Sequence, residues 1–218
     1  MKYMEITNLK NVLREKRDNM PNDLAIRLHR SVSWLLCAKN QENDWDLQSI
    51  TLWIAFNACY GVDDEQDKTL NERKIFNRFI EKLVENDREA KIYNLLWFKF
   101  SGPVKALIKN RYLFQPFWNA QHEGLDQSGW EESFEKSNKA AFHFLANEQV
   151  SPLLSIVLDR LYVLRNQLMH GGATYQSKVN RDQVRDGCHM LLELMPCIIE
   201  IMMEADKEDW GDIYFPVV

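Results

Sequence analysis

Apolar residues recur every three or four positions through most of this chain, the period that gathers them on one face of an α-helix. Leu24, Leu28, Val32, Leu35 and Leu36 follow the start signal Pro21-Asn22-Asp23 and predict a helix over 22–39. Asp44 or Asp46 caps the next, over 46–60, which ends at Gly61. That stretch is apolar nearly all round, as is 153–170, and helices of this kind lie inside bundles. The two are therefore expected to pack on each other, with Asn57 as a buried polar group that needs a partner. Further helices are predicted over 69–86, 88–100, 103–110, 130–147 and 178–206, and a short one around Leu9, Val12 and Leu13. Ser101-Gly102-Pro103 breaks the series, and the polar run 119–129 reads as a loop, a candidate flap or insertion spanning about 112–130. The tail from Trp210 is aromatic and apolar, as a docked end or a dimer contact would be. The fold class read from this pattern is all-α, a helical bundle in a single domain over 1–218.

The most informative stretch is 153–172, LLSIVLDRLYVLRNQLMHGG. On an apolar helix the polar exceptions carry the information. At about 100° per residue, Ser155, Asp159, Asn166 and His170 fall in one narrow stripe. Asn166 and His170 are four apart and hence neighbours on the helix surface. Arg160 and Gln167 extend the stripe on one side, and Arg165 lies on the other with a side chain long enough to swing toward His170. Gly171 and Gly172 follow where a helix end favours glycine. An imidazole beside a permanent cation suits acid–base chemistry on a phosphodiester, with the guanidinium clamping the phosphate. Helix-end capping and an ordinary surface charge account for the same residues without chemistry.

Composition narrows the choice. The chain has 218 residues, 45% of them hydrophobic, enough for a sizeable core. A net charge of −5 argues against a surface coated for nucleic acid, although a local patch suffices for a nuclease. Arg160, Arg165, Lys178, Arg181 and Arg185 form one such patch. Lys99, Lys105, Lys109 and Arg111, beside Tyr112, Phe114, Phe117 and Trp118, form a second. Basic residues among aromatics grip single-stranded nucleic acid, or they are a packed aromatic cluster with lysines snorkelling over it. Cys37, Cys59, Cys188 and Cys197 have no metal-site spacing, and Asp63-Asp64-Glu65 has no second cluster, so no metal and no cofactor are expected. His29, on the 22–39 helix, reads as a surface histidine. The chain has neither a signal-peptide-like apolar run nor 18 successive apolar residues, and it is expected to be cytoplasmic with no membrane partner.

Arg165-Asn166-Gln167-Leu168-Met169-His170 has the form Arg-polar-x-x-x-His at the end of an apolar helix in an all-α chain. It resembles the hallmark of the HEPN superfamily, and with its trailing glycine looks most like the abortive-infection and Apea-like branches. The resemblance implies a HEPN-type bundle with additional helices. It further implies a metal-independent endoribonuclease in which Arg165, Asn166 and His170 are catalytic. Arg160, Asp159, Tyr175 and Arg181 would bind substrate. RNA would be cut through the ribose 2′-hydroxyl, leaving a 2′,3′-cyclic phosphate and a 5′-hydroxyl. A homodimer would pair two motifs, in a toxin or phage-defence setting with an antitoxin or regulatory partner. Gly172 stands where members paired with a nucleotidyltransferase antitoxin tend to carry tyrosine, the nearest here being Tyr175, which counts against tyrosine modification. A non-catalytic nucleotide- or RNA-binding module and a purely structural helical interaction protein remain the alternatives.

Overall fold

The computed structural model describes residues 5–61, 72–123, 128–213 and 215–216. Among them the protein is all-α. The helices are α1 (Ile6–Lys16), α2 (Asn22–Lys39), α3 (Trp45–Tyr60), α4 (Glu72–Glu85), α5 (Lys91–Asn94), α6 (Ser101–Lys109), α7 (Gln115–Glu123), α8 (Ser128–Ala146), α9 (Val150–Met169) and α10 (Arg181–Glu204). They form two compact units, one from the described residues up to Lys91 and from Cys188 onward, the other from 92–187. The acidic run Asp63-Asp64-Glu65 lies outside the described residues.

In the first unit α2 lies along α3, and α1 lies against α2. Asp44 is the cap of α3, its Oδ1 accepting from the backbone N–H groups of Asp46 and Leu47 at 3.1 and 3.0 Å. Within this unit the partner of α3 is α2; the 153–170 helix, on which the sequence pattern expected it to pack, belongs to the other unit. Asn57 is exposed rather than buried: it lies on the open side of α3, in line with the exposed Leu47 and the half-buried Ile50 and Ile54. The buried polar side chains of α3 are Asp46, Gln48 and Ser49, and Gln48 Nε2 donates to Ala38 O at 2.9 Å. Phe56, Tyr60, Phe76 and Phe79 form an aromatic cluster that Trp210 of the tail joins edge-on to Phe79 at 5.9 Å.

The tail is docked by cations. Arg27, 1% exposed, donates to the carbonyls of Cys59, Gly61, Gly211 and Asp212, and Arg30 donates to Phe215 O. Burial pushes the Arg27 guanidinium below its ordinary value, against the charges of Cys59, Asp23 and Asp212. The same unit buries Lys91, whose Nζ donates to Glu200 Oε2 at 2.8 Å.

In the second unit α9 packs against α6 and α8, and α7 against α8. The predicted helix over 88–100 is split: after α5 the chain makes a π-helical turn, Leu95–Lys99, closed by Phe100 N donating to Leu95 O at 2.8 Å. Ser101-Gly102-Pro103 does not break the path but forms the first turn of α6, where proline is tolerated because its missing N–H has no partner to lose. Of the expected flap over 112–130, residues 112–123 and 128–130 are folded structure, and 124–127 lie outside the described residues. A 3-10 turn, Arg111–Leu113, leads into α7, and α8 begins at Ser128. Aromatic packing fixes it: Phe117 meets Tyr112, Trp118 and Trp130 edge-on at 5.4, 5.1 and 5.0 Å, and Phe114 meets Phe134 at 5.3 Å.

Candidate functional site

The 153–170 helix is observed as α9, and its outer face matches the polar stripe: Ser155, Asp159, Asn166 and His170 all reach solvent at least in part. Tyr162 and Met169 are also exposed, at 40% and 48%. The helix is buried along Leu153, Leu154, Val157, Leu158, Leu161, Val163 and Leu164, with Arg160 among them. The first turns of α10 press against this side so closely that a Cβ on Gly187 would lie 2.9 Å from Leu161 Cδ2.

His170 is the residue at which α9 stops. Its φ of −96° and ψ of 13° leave the helical region, while its N–H still donates to Asn166 O at 3.0 Å. Gly171 then takes the left-handed conformation, φ +69°, which a side chain resists, and its N–H donates to Leu168 O at 3.3 Å. Gly172 has a second reason to be glycine, since a Cβ there would lie 3.1 Å from Gln167 O. The pair turns the chain sharply and leaves the His170 ring exposed, with no hydrogen bond to it among the described residues.

Arg165 is anchored rather than loose. Its Nη1 donates to Asn166 Oδ1 at 2.9 Å, and its guanidinium lies 5.9 Å from the Tyr162 ring centre. Arg165, Asn166 and His170 are thereby gathered on the last turn of α9, half-buried at the arginine and exposed at the histidine. Gln167 fixes the surroundings. Its Nε2 donates to Tyr112 O at 2.7 Å and its Oε1 accepts from Asn180 Nδ2 at 3.0 Å, so the 111–113 turn and the loop after Gly172 are both fastened to this turn of helix.

The four residues expected to bind substrate separate. Arg160 is a core residue, 3% exposed. Its guanidinium lies 4.6 Å from the Phe114 ring centre and 5.5 Å from that of Phe134, and Nη2 donates to Ser137 Oγ at 3.1 Å. Burial pushes it down to about 10, eased by the charge of Asp159. A cation buried against two rings is not presented to a solute, and the expectation that Arg160 holds substrate is corrected accordingly. Asp159 is half-buried beside it. Tyr175 is 65% exposed in the loop after the motif, and Gln176 Nε2 donates to its hydroxyl at 3.2 Å. Arg181 is half-buried and donates Nε to Ser177 O at 2.8 Å, holding that loop. Arg185 pairs with Asp182 and Asp186 at 3.0 Å each. His189 lies edge-on to Trp45 at 5.1 Å in the first unit. His29 is exposed on α2. Lys99 and Lys109 snorkel over Phe100 and Phe142, and Arg111 precedes Tyr112, whose carbonyl accepts from Gln167 of α9.

Sequence reasoning placed Gln167 in the stripe, but not as the clamp it is. Only its position one turn before His170 hinted at that role. Gly187 carried no signal at all, because a mid-helix glycine does not announce what packs on it.

Comparison with protein-family models, with curated protein sequences and with solved structures returns no match. No helix among the described residues is long and apolar enough to cross a membrane.

Proposed function

We propose that this protein is a metal-independent endoribonuclease of HEPN type. The observation that carries the reading is the last turn of α9, where Arg165, held by Asn166, and a His170 that is exposed and has no hydrogen bond to its ring among the described residues share one helix end. Arg165 binds the scissile phosphate and opposes the charge that grows on its oxygens. The His170 imidazole takes the proton of the ribose 2′-hydroxyl as that oxygen attacks phosphorus. The bond from phosphorus to the 5′-oxygen breaks, and the leaving oxygen is protonated by an imidazolium. The products are a 2′,3′-cyclic phosphate and a 5′-hydroxyl. Asn166 orients Arg165.

One histidine cannot hold and release a proton at the same instant, so a homodimer that brings two motifs together supplies base and acid separately. Tyr162 and Met169, exposed beside the motif, give such an interface its apolar contacts. A cytoplasmic toxin or phage-defence role, with an antitoxin or regulatory partner, belongs to this same reading.

The test is cleavage of a mixed structured RNA by the purified protein in EDTA, beside His170→Ala. Cleavage by wild type alone, with cyclic phosphate ends, is the expected result. Equal cleavage by both proteins, or none by wild type with both folded, overturns the assignment.

A further inference from the structure

The 111–113 turn is fastened to the helix that carries the motif, and it presents an immobilised aromatic side chain. Gln167, one helical turn before His170, donates to Tyr112 O at 2.7 Å. The same carbonyl accepts from Trp118 Nε1 at 2.8 Å, and the Tyr112 N–H donates to Asn110 Oδ1 at 3.0 Å. The Tyr112 ring stands edge-on against Phe117 at 5.4 Å. Backbone and ring are therefore fixed, yet the residue stays 41% exposed. Arg111 lies across it, its guanidinium carbon 5.1 Å from the ring centre and its Nη2 donating to the Tyr112 hydroxyl at 3.0 Å.

The geometry points to Arg111 and Tyr112 as a subsite for one unpaired nucleotide, on the turn fastened to the end of α9. The inference rests on the ribonuclease reading. Bases stack on tyrosine rings and on guanidinium planes alike, and the pair sets an exposed ring beside a positive charge. Holding the tyrosine in place beforehand spares the complex most of the entropy of ordering it. A paired base has no free face to offer, so a duplex gains nothing from the subsite. Net charge works in the same direction: a chain at −5 lacks the general attraction for phosphates that would make base stacking superfluous.

The test is fluorescence anisotropy with a labelled single-stranded oligonucleotide of mixed sequence and 2′-deoxy sugars, which lacks the attacking hydroxyl and is not cut. A duplex of the same sequence is measured beside it. Tyr112→Ala is expected to weaken single-strand binding by roughly 5- to 150-fold, the range that base–aromatic stacking spans, and to leave duplex binding unchanged. Tyr112→Phe, which keeps the ring and its contact with Phe117, binds like wild type. Arg111→Gln, on the surface, guards against a folding defect in the alanine variant. It weakens binding and lowers the slope of log affinity against log salt by about one. If wild type binds the single strand and neither Tyr112→Ala nor Arg111→Gln changes it, the subsite is wrong while the ribonuclease reading stands. If wild type binds neither strand, the subsite is overturned, and cleavage in EDTA decides separately on the ribonuclease.

Discussion

Arg160 and Arg165 are five residues apart on α9 and meet opposite surroundings. The first is buried against Phe114 and Phe134, the second reaches solvent with Asn166 as its brace. Their variants should behave differently. Arg160→Ala removes a large side chain from a packed place and is expected to lower the unfolding free energy by about 2–4 kcal/mol, read in urea. Arg160→Met fills most of the same space and removes a buried charge, so its cost is expected to be below about 1.5 kcal/mol. A methionine variant as damaging as the alanine one would show that the charge and its bond to Ser137 matter more than the volume. In sequence the two arginines look alike, since periodicity places both on the edge of the polar stripe. What separates them is the ring pair that α8 and the 111–113 turn bring from 20 to 50 residues away, and no local pattern encodes that. Asn57 failed for the mirror reason: a helix apolar nearly all round still has one exposed side, and the asparagine marks it.

At the scale of the element, the end of α9 was the most legible feature of the chain. An apolar run, a polar residue at its close and two glycines state where the helix stops, and the structure stops it at Met169 with Gly171 at φ +69°. Gly171→Ala finds open space for its methyl group but must hold a left-handed backbone, at a cost of about 1–2 kcal/mol. The expected outcome is a lower melting temperature. Weaker RNA cleavage should accompany it, because the turn that exposes His170 relaxes. An unchanged melting temperature would mean that the loop accepts another conformation there. The start of α2 was read as directly, from Pro21-Asn22-Asp23, and that of α3 from Asp44 or Asp46, of which Asp44 is the cap. The stretch 112–130 was not. Its polar residues suggested a loop, whereas Phe114, Phe117, Trp118, Trp130 and Phe134 pack on one another, and the described parts, 115–123 and 128 onward, are helical. Aromatics that find partners in the next helix override a weak local preference.

At the scale of the molecule, the first unit is assembled from two stretches far apart in the chain, and a buried ion pair joins them. Lys91 Nζ reaches Glu200 Oε2 at 2.8 Å across 109 residues of sequence, with both side chains less than a tenth exposed. Burial alone would lower the Lys91 ammonium. The hydrogen bond to Glu200 and the charges of Glu200, Glu204 and Glu89 outweigh it and hold the group above its ordinary value of 10.5. A lysine raised on folding contributes stability that is fully present below 10.5 and is lost as the pH climbs through the raised value. Between pH 6 and 9 the Lys91 charge therefore adds no pH dependence to unfolding. Removing one partner is another matter. Lys91→Met leaves Glu200 buried without its cation and is expected to cost about 3–5 kcal/mol. The double variant Lys91→Met, Glu200→Met removes both desolvation penalties together with their attraction, and should recover most of that loss, since a buried pair and a well-packed apolar pair of similar volume differ little. Denaturant unfolding of the two single variants and the double one measures the coupling directly. If the double variant is as unstable as Lys91→Met, the unit depends on the specific reach of lysine to α10, and the two stretches are held by that contact rather than by the apolar core around it.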